Sequence, residues 1–270
     1  MKTILLSVAV LGALGALFGA ILAFAAKIFH VEVDPRQEAV RECLAGANCG
    51  GCGYPGCDGY AAAVAKGEAP TNRCVAGGAE AAAKIAEIMG VSADAAEKMV
   101  AFVPCSGTTG HAEMRFNYSG PVDCRAAMLF GGKSNKTCTF ACIGLGNCVK
   151  ACQFGAMHIV DGVAKVDRSK CVGCGACADT CPKSIIKMIP ESQKVIPACG
   201  NKDKGAKVMK MCDFGCIGCM KCQRECPADA IVVKDNVAVV DPEKCVGCGH
   251  CADICPRHII NWLGNKESNS

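Results

Sequence analysis

Seven cysteines return at a fixed shift of 74 residues, and that repeat limits what this chain can fold into more than any other feature. Cys142, Cys148, Cys152, Cys171, Cys174, Cys177 and Cys181 recur as Cys216, Cys222, Cys226, Cys245, Cys248, Cys251 and Cys255. The text between them recurs too, HIVDGVAKVDRSKCVGCGACADTCP against IVVKDNVAVVDPEKCVGCGHCADICP. The chain holds 25 cysteines in 270 residues, an odd number, many at two- and three-residue gaps. Thiols that close cannot usually be bridged to one another, but they suit a metal or cluster that draws several to one point. In each copy a short strand, a turn (Asp161-Gly162, then Asp235-Asn236) and a second strand separate two cysteine groups. Asp-Gly tolerates the positive φ of a tight hairpin. Strands so short bury too little apolar surface to hold a domain, so a bound inorganic core must replace the missing hydrophobic one.

The run Cys171-x2-Cys174-x2-Cys177-x3-Cys181-Pro182 has the spacing of bacterial ferredoxins. It returns as Cys245-x2-Cys248-x2-Cys251-x3-Cys255-Pro256 and as Cys216-x2-Cys219-x2-Cys222-x3-Cys226-Pro227. Three thiolates two residues apart curl around one [4Fe-4S] cubane, and the fourth cysteine reaches the other cluster of the pair. The second module is thus expected to bind one cluster through Cys216, Cys219, Cys222 and Cys255, and another through Cys245, Cys248, Cys251 and Cys226. Zinc is the competing reading, but zinc ribbons use two separated pairs rather than triplets with a distant fourth ligand.

The first module departs from this pattern, because Leu145 stands where Cys219 stands in the second. Its run is Cys138-x3-Cys142-x5-Cys148-x3-Cys152, and Cys138 is the candidate for the missing thiolate. One cluster would then use Cys138, Cys142, Cys148 and Cys181, and the other Cys171, Cys174, Cys177 and Cys152. A three-iron cluster, or none, is the alternative at the first of these. Cys138 aligns with Cys212, which the complete second module does not need. Cys105, Cys124, Cys199 and Cys212 are left over and number enough for one further set, while Cys43 is expected to be a buried thiol.

A second kind of set is Cys49-x2-Cys52-x4-Cys57-x16-Cys74, within and beyond NCGGCGYPGCDGY. Glycine lets backbone pass close to a cluster and turn N–H groups toward its sulfurs, which raises the potential. Gly51, Gly53 and Gly56 also spell GxGxxG, but no strand precedes them and cysteines fill the gaps, so a nucleotide site is excluded by context. The motifs predict five [4Fe-4S] clusters, one N-terminal and two per ferredoxin module, with a sixth if the leftover cysteines form a set.

From Ile4 to Ala26 run 23 residues without a charge, at ~1.5 Å of helical rise each enough for a ~30 Å hydrocarbon layer. A cleaved signal peptide is the rival, with Ala23-Phe24-Ala25 as its site, but the run outlasts a typical apolar h-region and an oxidising destination would threaten the thiols. Lys27, Arg36 and Arg41 outnumber Lys2, which places the bulk of the chain on the cytoplasmic side of the cell (inner) membrane as a single-pass protein. Gly15 and Gly19 form a GxxxG on which another membrane helix could pack. Asp34-Pro35 starts a helix running to about Ala45, and alanine-rich helices are expected over Gly78–Met89 and, capped by Ser92, over Ala93–Phe102. The domain plan is an anchor over 1–27, a helical [4Fe-4S] domain over 28–102, a linking segment over 103–136, and ferredoxin modules over 137–198 and 199–270. The fold class is α+β.

The net charge of +4 is far too small to imply nucleic acid. The five histidines show no ligand spacing, and His250 inside CGHC reads as a surface residue near a cluster. The lysines at 194, 202, 204, 207 and 210 form either a docking patch for an acidic carrier or a solvated loop. No Walker A motif, nucleophile elbow or acid–base carboxylate pair is present, so the chain should conduct electrons rather than transform a substrate.

An anchor, then GGCGYPGCDGY with its distant Cys74, then tandem ferredoxin modules resembles the iron–sulfur B subunit of Rnf electron-transport complexes. The resemblance covers essentially the whole chain and implies a subunit of an ion-translocating ferredoxin:NAD oxidoreductase. It implies reduced ferredoxin or flavodoxin as electron donor, flavin-bearing and membrane subunits as partners, and coupling to sodium or proton export. Leu145 is the one departure in the ligand pattern, and the second ferredoxin module makes this a long form. A wiring subunit of a membrane-bound hydrogenase or formate dehydrogenase is the alternative, and a zinc-stabilised binding scaffold is the alternative of a different class.

Overall fold

The computed structural model describes residues 2–28, 34–92, 97–131 and 134–264. Helix α1, Lys2–Ile28, leads the chain. It exposes Leu11, Leu14, Phe18, Leu22 and Phe24. Among the described residues no helix is long and apolar enough to cross a membrane. A Cβ added at Gly15 or Gly19 would meet nothing within 4 Å.

Three short helices form the next unit. Asp34 caps α2, Pro35–Cys43, by accepting a 2.8 Å hydrogen bond from Arg36 N, with Pro35 at the first helical position as the sequence requires. The helix stops two residues before the expected Ala45. Helix α3, Gly56–Ala65, grows directly out of the glycine-rich loop, and α4, Gly78–Met89, keeps the expected limits. Val40, Tyr60, Val64 and Ile85 fill the core, with small alanines on α3 and α4 allowing the helices to approach. The Tyr60 hydroxyl donates to Pro70 O (2.7 Å) and accepts from Arg73 N (3.1 Å), which fastens the loop running to Cys74.

Two sequence-based expectations fail after α4. The helix expected over Ala93–Phe102 lies outside the described residues at 93–96, and Met99–Phe102 is strand β1. A short apolar run such as MVAF has no decisive period. Pairing settles it, because Val100 and Ala101 are buried between β1 and its antiparallel partner β4, Lys187–Pro190. The segment over 103–136 is not a bare linker. It carries helix α5, Cys124–Gly131, packs Val103 and Cys105 into the first module's core, and forms bridges that pair Ala112 with Cys212 and Met114 with Lys136.

The repeat is plain in three dimensions. Hairpin β2, Met157–Val160, with β3, Val163–Val166, is matched by β6, Ile231–Lys234, with β7, Val237–Val240. Asp161 (φ 47°) and Gly162 (φ 72°) make one turn, Asp235 (φ 50°) and Asn236 (φ 63°) the other, the left-handed pair that a two-residue hairpin requires. One-turn helices α6, Asn147–Ala151, and α7, Ala176–Thr180, follow the cysteine groups of the first copy. Strand β5, Val195–Pro197, opens the second copy and pairs with β8, Ile260–Trp262, as β1 pairs with β4. Between these strands lie α8, Gly205–Met211, α9, Lys221–Arg224, and α10, His250–Asp253. Among the described residues the four sheets are two-stranded and antiparallel, an α+β architecture with its cores built around cysteines.

Candidate metal centres

Twenty-four of the 25 cysteines gather into six groups of four, and all 25 are free thiols. The N-terminal group is the predicted one: Cys49, Cys52, Cys57 and Cys74 line one cavity with Tyr60 and Val75. Asn48 Oδ1 accepts from Cys57 N (2.8 Å) to hold the loop, and Gly77 N donates to Cys74 Sγ (3.3 Å). Gly77 has no side chain for a reason, since a Cβ there would lie 2.5 Å from Ala81 Cβ.

Three ferredoxin groups also stand as expected. Cys152, Cys171, Cys174 and Cys177 line one cavity, and Cys226, Cys245, Cys248 and Cys251 another. Cys216, Cys219 and Cys255 surround Cys222, whose thiol burial pushes up to about 11, with repulsion from those three adding to it. Cys152 and Cys226 each lie apart from their own run and beside the triplet of the other run. Matching N–H donors serve the two copies: Ala156 N reaches Cys152 Sγ at 3.3 Å and Ala230 N reaches Cys226 Sγ at 3.4 Å.

The remaining two groups exchange one member relative to the sequence-based expectation. Cys124, not Cys138, joins Cys142, Cys148 and Cys181 around one cavity. Burial first, then the neighbouring thiols Cys142, Cys124 and Cys181, push the Cys148 thiol up to about 12. Cys124 arrives there because it opens α5, whose start Asn147 holds by accepting from Cys124 N (2.8 Å) while donating to Asp123 (2.8 Å). Cys138 instead lines a cavity with Cys105, Cys199 and Cys212, between the two modules. The swap had a legible clue. Cys138 aligns with Cys212 in the repeat, and Val103-Pro104-Cys105 resembles Ile196-Pro197-Ala198-Cys199, so this junction group is two equivalent pairs. Cys43 stands outside all six, half-buried against the N-terminal core rather than fully buried.

The cavities enclose 320–370 Å³ of atom-free space, partly continuous with solvent, with sulfur as their dominant donor. Among the described residues no three His, Cys, Asp or Glu side chains are drawn tightly enough to hold a single metal ion. Four sulfurs spread around a cavity, with backbone N–H groups aimed at them, fit a cubane cluster.

Neighbouring groups touch in a row. A Cβ on Gly51 would lie 2.9 Å from Cys174 Cα, and Cys49 adds to the upward push that burial exerts on Cys174. Cys177 stands among the thiols around Cys148. Cys142 N donates to Cys105 Sγ (3.5 Å), and Cys216 N to Cys199 Sγ (3.3 Å). Burial pushes the Cys251 thiol up to about 11, with repulsion from Cys222 of the neighbouring group adding to it. Of the lysines around the second module, Lys202 pairs with Asp235 (3.1 Å) and Lys207 with Asp203 (2.9 Å), while His250 is half-exposed, 3.6 Å from Glu225.

An Fe-S cluster family model matches residues 44–76, and the 4Fe-4S dicluster domain matches residues 138–185, 170–230 and 215–259. The chain is 47% identical over 262 residues to the B subunit of the Na(+)-translocating ferredoxin:NAD(+) oxidoreductase complex of Acetobacterium woodii, covering 97% of this chain and 78% of the relative. It is 42% identical over 255 residues to the B subunit of the ion-translocating oxidoreductase complex of Methanosarcina acetivorans, covering 94% and 96%. It is 42% identical over 267 residues to the B subunit of the proton-translocating ferredoxin:NAD(+) oxidoreductase complex of Clostridium ljungdahlii, covering 97% and 94%. A cysteine framework of this kind, matched across nearly the full length of three such relatives, places the chain in the B-subunit family of Rnf-type ion-translocating ferredoxin:NAD oxidoreductase complexes.

Proposed function

We propose that this chain is the electron relay of an Rnf-type complex, carrying electrons from reduced ferredoxin or flavodoxin toward the membrane and flavin-bearing subunits. The observation that carries this reading is the unbroken row of six four-cysteine groups. [4Fe-4S] clusters, when bound, supply one-electron carriers; the chain supplies the ligands, their spacing and their surroundings. Cys49, Cys52, Cys57 and Cys74 would hold the N-terminal cluster, followed by the Cys152 group, the Cys124 group, the Cys105 group, the Cys216 group and the Cys226 group.

The two ends of the row suit different partners. Cys219 and Cys248 are exposed, so the second module offers the shortest way in from a soluble carrier. The opposite end follows α1, whose 27 residues and exposed apolar side chains support a single-pass anchor in the cell membrane. The positive residues after it favour the bulk on the cytoplasmic side. The relatives include subunits of both a sodium- and a proton-translocating complex.

Iron and sulfide analysis of the anaerobically reconstituted full chain tests the assignment. Six clusters are expected, with a brown visible band bleached by dithionite; a colourless, zinc-loaded protein would refute it. In the purified complex, replacing Cys105 with alanine should cut ferredoxin-dependent NAD reduction at least tenfold. Unchanged turnover would remove the junction group from the route.

A further inference from the structure

Among the described residues, three polar or charged residues are buried: Ser134, Lys136 and Asn201. All three belong to the junction between the modules. Burying polar groups is costly unless each is paired, and a buried charge costs most, so their concentration at one of six groups calls for a reason.

Asn201 is 3% exposed and its Nδ2 donates to Cys138 Sγ at 3.3 Å, the one side-chain donor to a sulfur among the described hydrogen bonds. Its neighbour Cys199 receives backbone N–H groups from Asn201 (3.5 Å) and Cys216 (3.3 Å). Lys136 is 1% exposed, and Nζ donates to Gly107 O (2.7 Å) and Gly162 O (2.8 Å). Gly107 lies against the sulfurs of Cys105 and Cys212, since a Cβ built on it would stand 3.8 and 3.5 Å from them. Gly162 O abuts Gly144, in the loop between Cys142 and Cys148. The ammonium is thus strapped between the Cys105 group and the Cys124 group. Among the described ion pairs no carboxylate meets it. Nearby, Asp203 is already paired with Lys207, and Arg257 donates to Cys212 O (2.6 Å) from a partly exposed position.

A buried cation without an acid needs an anion from elsewhere. A four-thiolate cluster is one, and each electron it accepts makes it one charge more negative, with no proton moving. A fixed cation and a hydrogen bond to a ligand sulfur both favour that reduced form. We propose that Lys136 and Asn201 are tuning residues that raise the reduction potentials at the module junction: Lys136 for both the Cys105 and Cys124 groups, Asn201 for the Cys105 group alone. The junction then receives electrons readily from either module and holds them midway along the row. This rests on the reading of those eight cysteines as cluster ligands.

The test is an EPR-monitored redox titration of the full chain, with iron and sulfide counted on every sample. Lys136→Met keeps most of the side chain's apolar length and removes the charge. It should retain all iron while two clusters shift to lower potential by about tenfold in their reduction equilibrium, about 59 mV for one electron. Asn201→Leu should shift one cluster, by about threefold. Should Lys136→Met lose iron, Lys136→Gln, whose amide can keep one carbonyl contact, is titrated in its place; loss of iron from both makes Lys136 a structural strap and overturns the proposal. Fully loaded variants with no shift, or with all clusters shifted alike, also overturn it. If Cys105→Ala loses no iron relative to the unaltered chain, the ligand reading itself has failed, whatever the potentials do.

Discussion

The two ferredoxin modules descend from one pattern, yet they complete the same kind of site in different ways. In the second module the run Cys216, Cys219 and Cys222 supplies three neighbouring thiols from one loop, and Cys219 is exposed. In the first, Leu145 occupies that aligned position and the thiol comes from Cys124, at the start of a helix in the preceding segment. The difference teaches that such a site demands four sulfurs around a space and is indifferent to how the chain delivers them. Delivery from afar has a structural consequence: Cys124, its backbone held by the Asn147 clamp, is partly buried, whereas Cys219 in the second module is exposed.

Iron removal breaks the comparison most severely. Stripping iron and sulfide under reducing anaerobic conditions should unravel the second module more completely than the first. The first has the larger buried core, including Val100, Val103, Met157 and Ile186, whereas the second relies on Val195, Ile231 and Ile259 among its thiols. Hydrogen exchange should show amide protection falling at least about a thousandfold in β6 and β7, given that metal binding free energy is folding free energy in small domains. Equal protection in loaded and stripped protein would mean that apolar packing alone holds the fold.

Ligand substitutions come next. Cys124→Ala should cost the first module one cluster's iron, as Cys219→Ala costs the second, while Cys138→Ala should empty the junction group instead. Iron counts with EPR distinguish the three. Adding the missing thiol sharpens the point: Leu145→Cys should restore part of the iron lost from Cys124→Ala, and failure of the rescue would show that the first module's loop has diverged too far to return to local delivery.

Gly51→Val should push the N-terminal group off Cys174, since a Cβ at residue 51 would stand 2.8 Å from Val75 Cγ2 and 2.9 Å from Cys174 Cα. Overpacking of this kind costs about 1–3 kcal/mol. The loaded protein should melt several degrees lower, with weaker magnetic interaction between those two centres.

Acid should produce the smallest contrast. Burial holds the Cys148 thiol at about 12 and the Cys222 thiol at about 11. A higher thiol pKa lets protons compete harder with iron, so retention is full at high pH and is lost as pH falls. Both the Cys148 group and the Cys222 group should therefore keep their iron at high pH and release it as pH falls, read by chelator-trapped iron across a pH series.

Much of this was legible in the residues. The grouping of Cys152 and Cys226 with the distant triplets, both hairpins and the Gly78–Met89 helix follow from spacing, turn chemistry and period. What was misread shares one physical cause. Met99–Phe102 carries no periodicity of its own and becomes a strand only because Lys187–Pro190 lies beside it. Cys124 and Cys138 exchange places because their destinations depend on where α5 and the inter-module loop pack, which local spacing does not encode.

The amino-acid order by itself determined that cysteines gather in fours and that ferredoxin-type units recur. Those outcomes rest on contacts a few residues apart, where geometry is nearly fixed by covalent spacing. Only the tertiary structure decided which distant cysteine completes each group, that a sixth group forms between the modules, and that Lys136 and Asn201 are buried beside it. Each of those depends on segments far apart in the chain meeting in space, and no local rule carries that information.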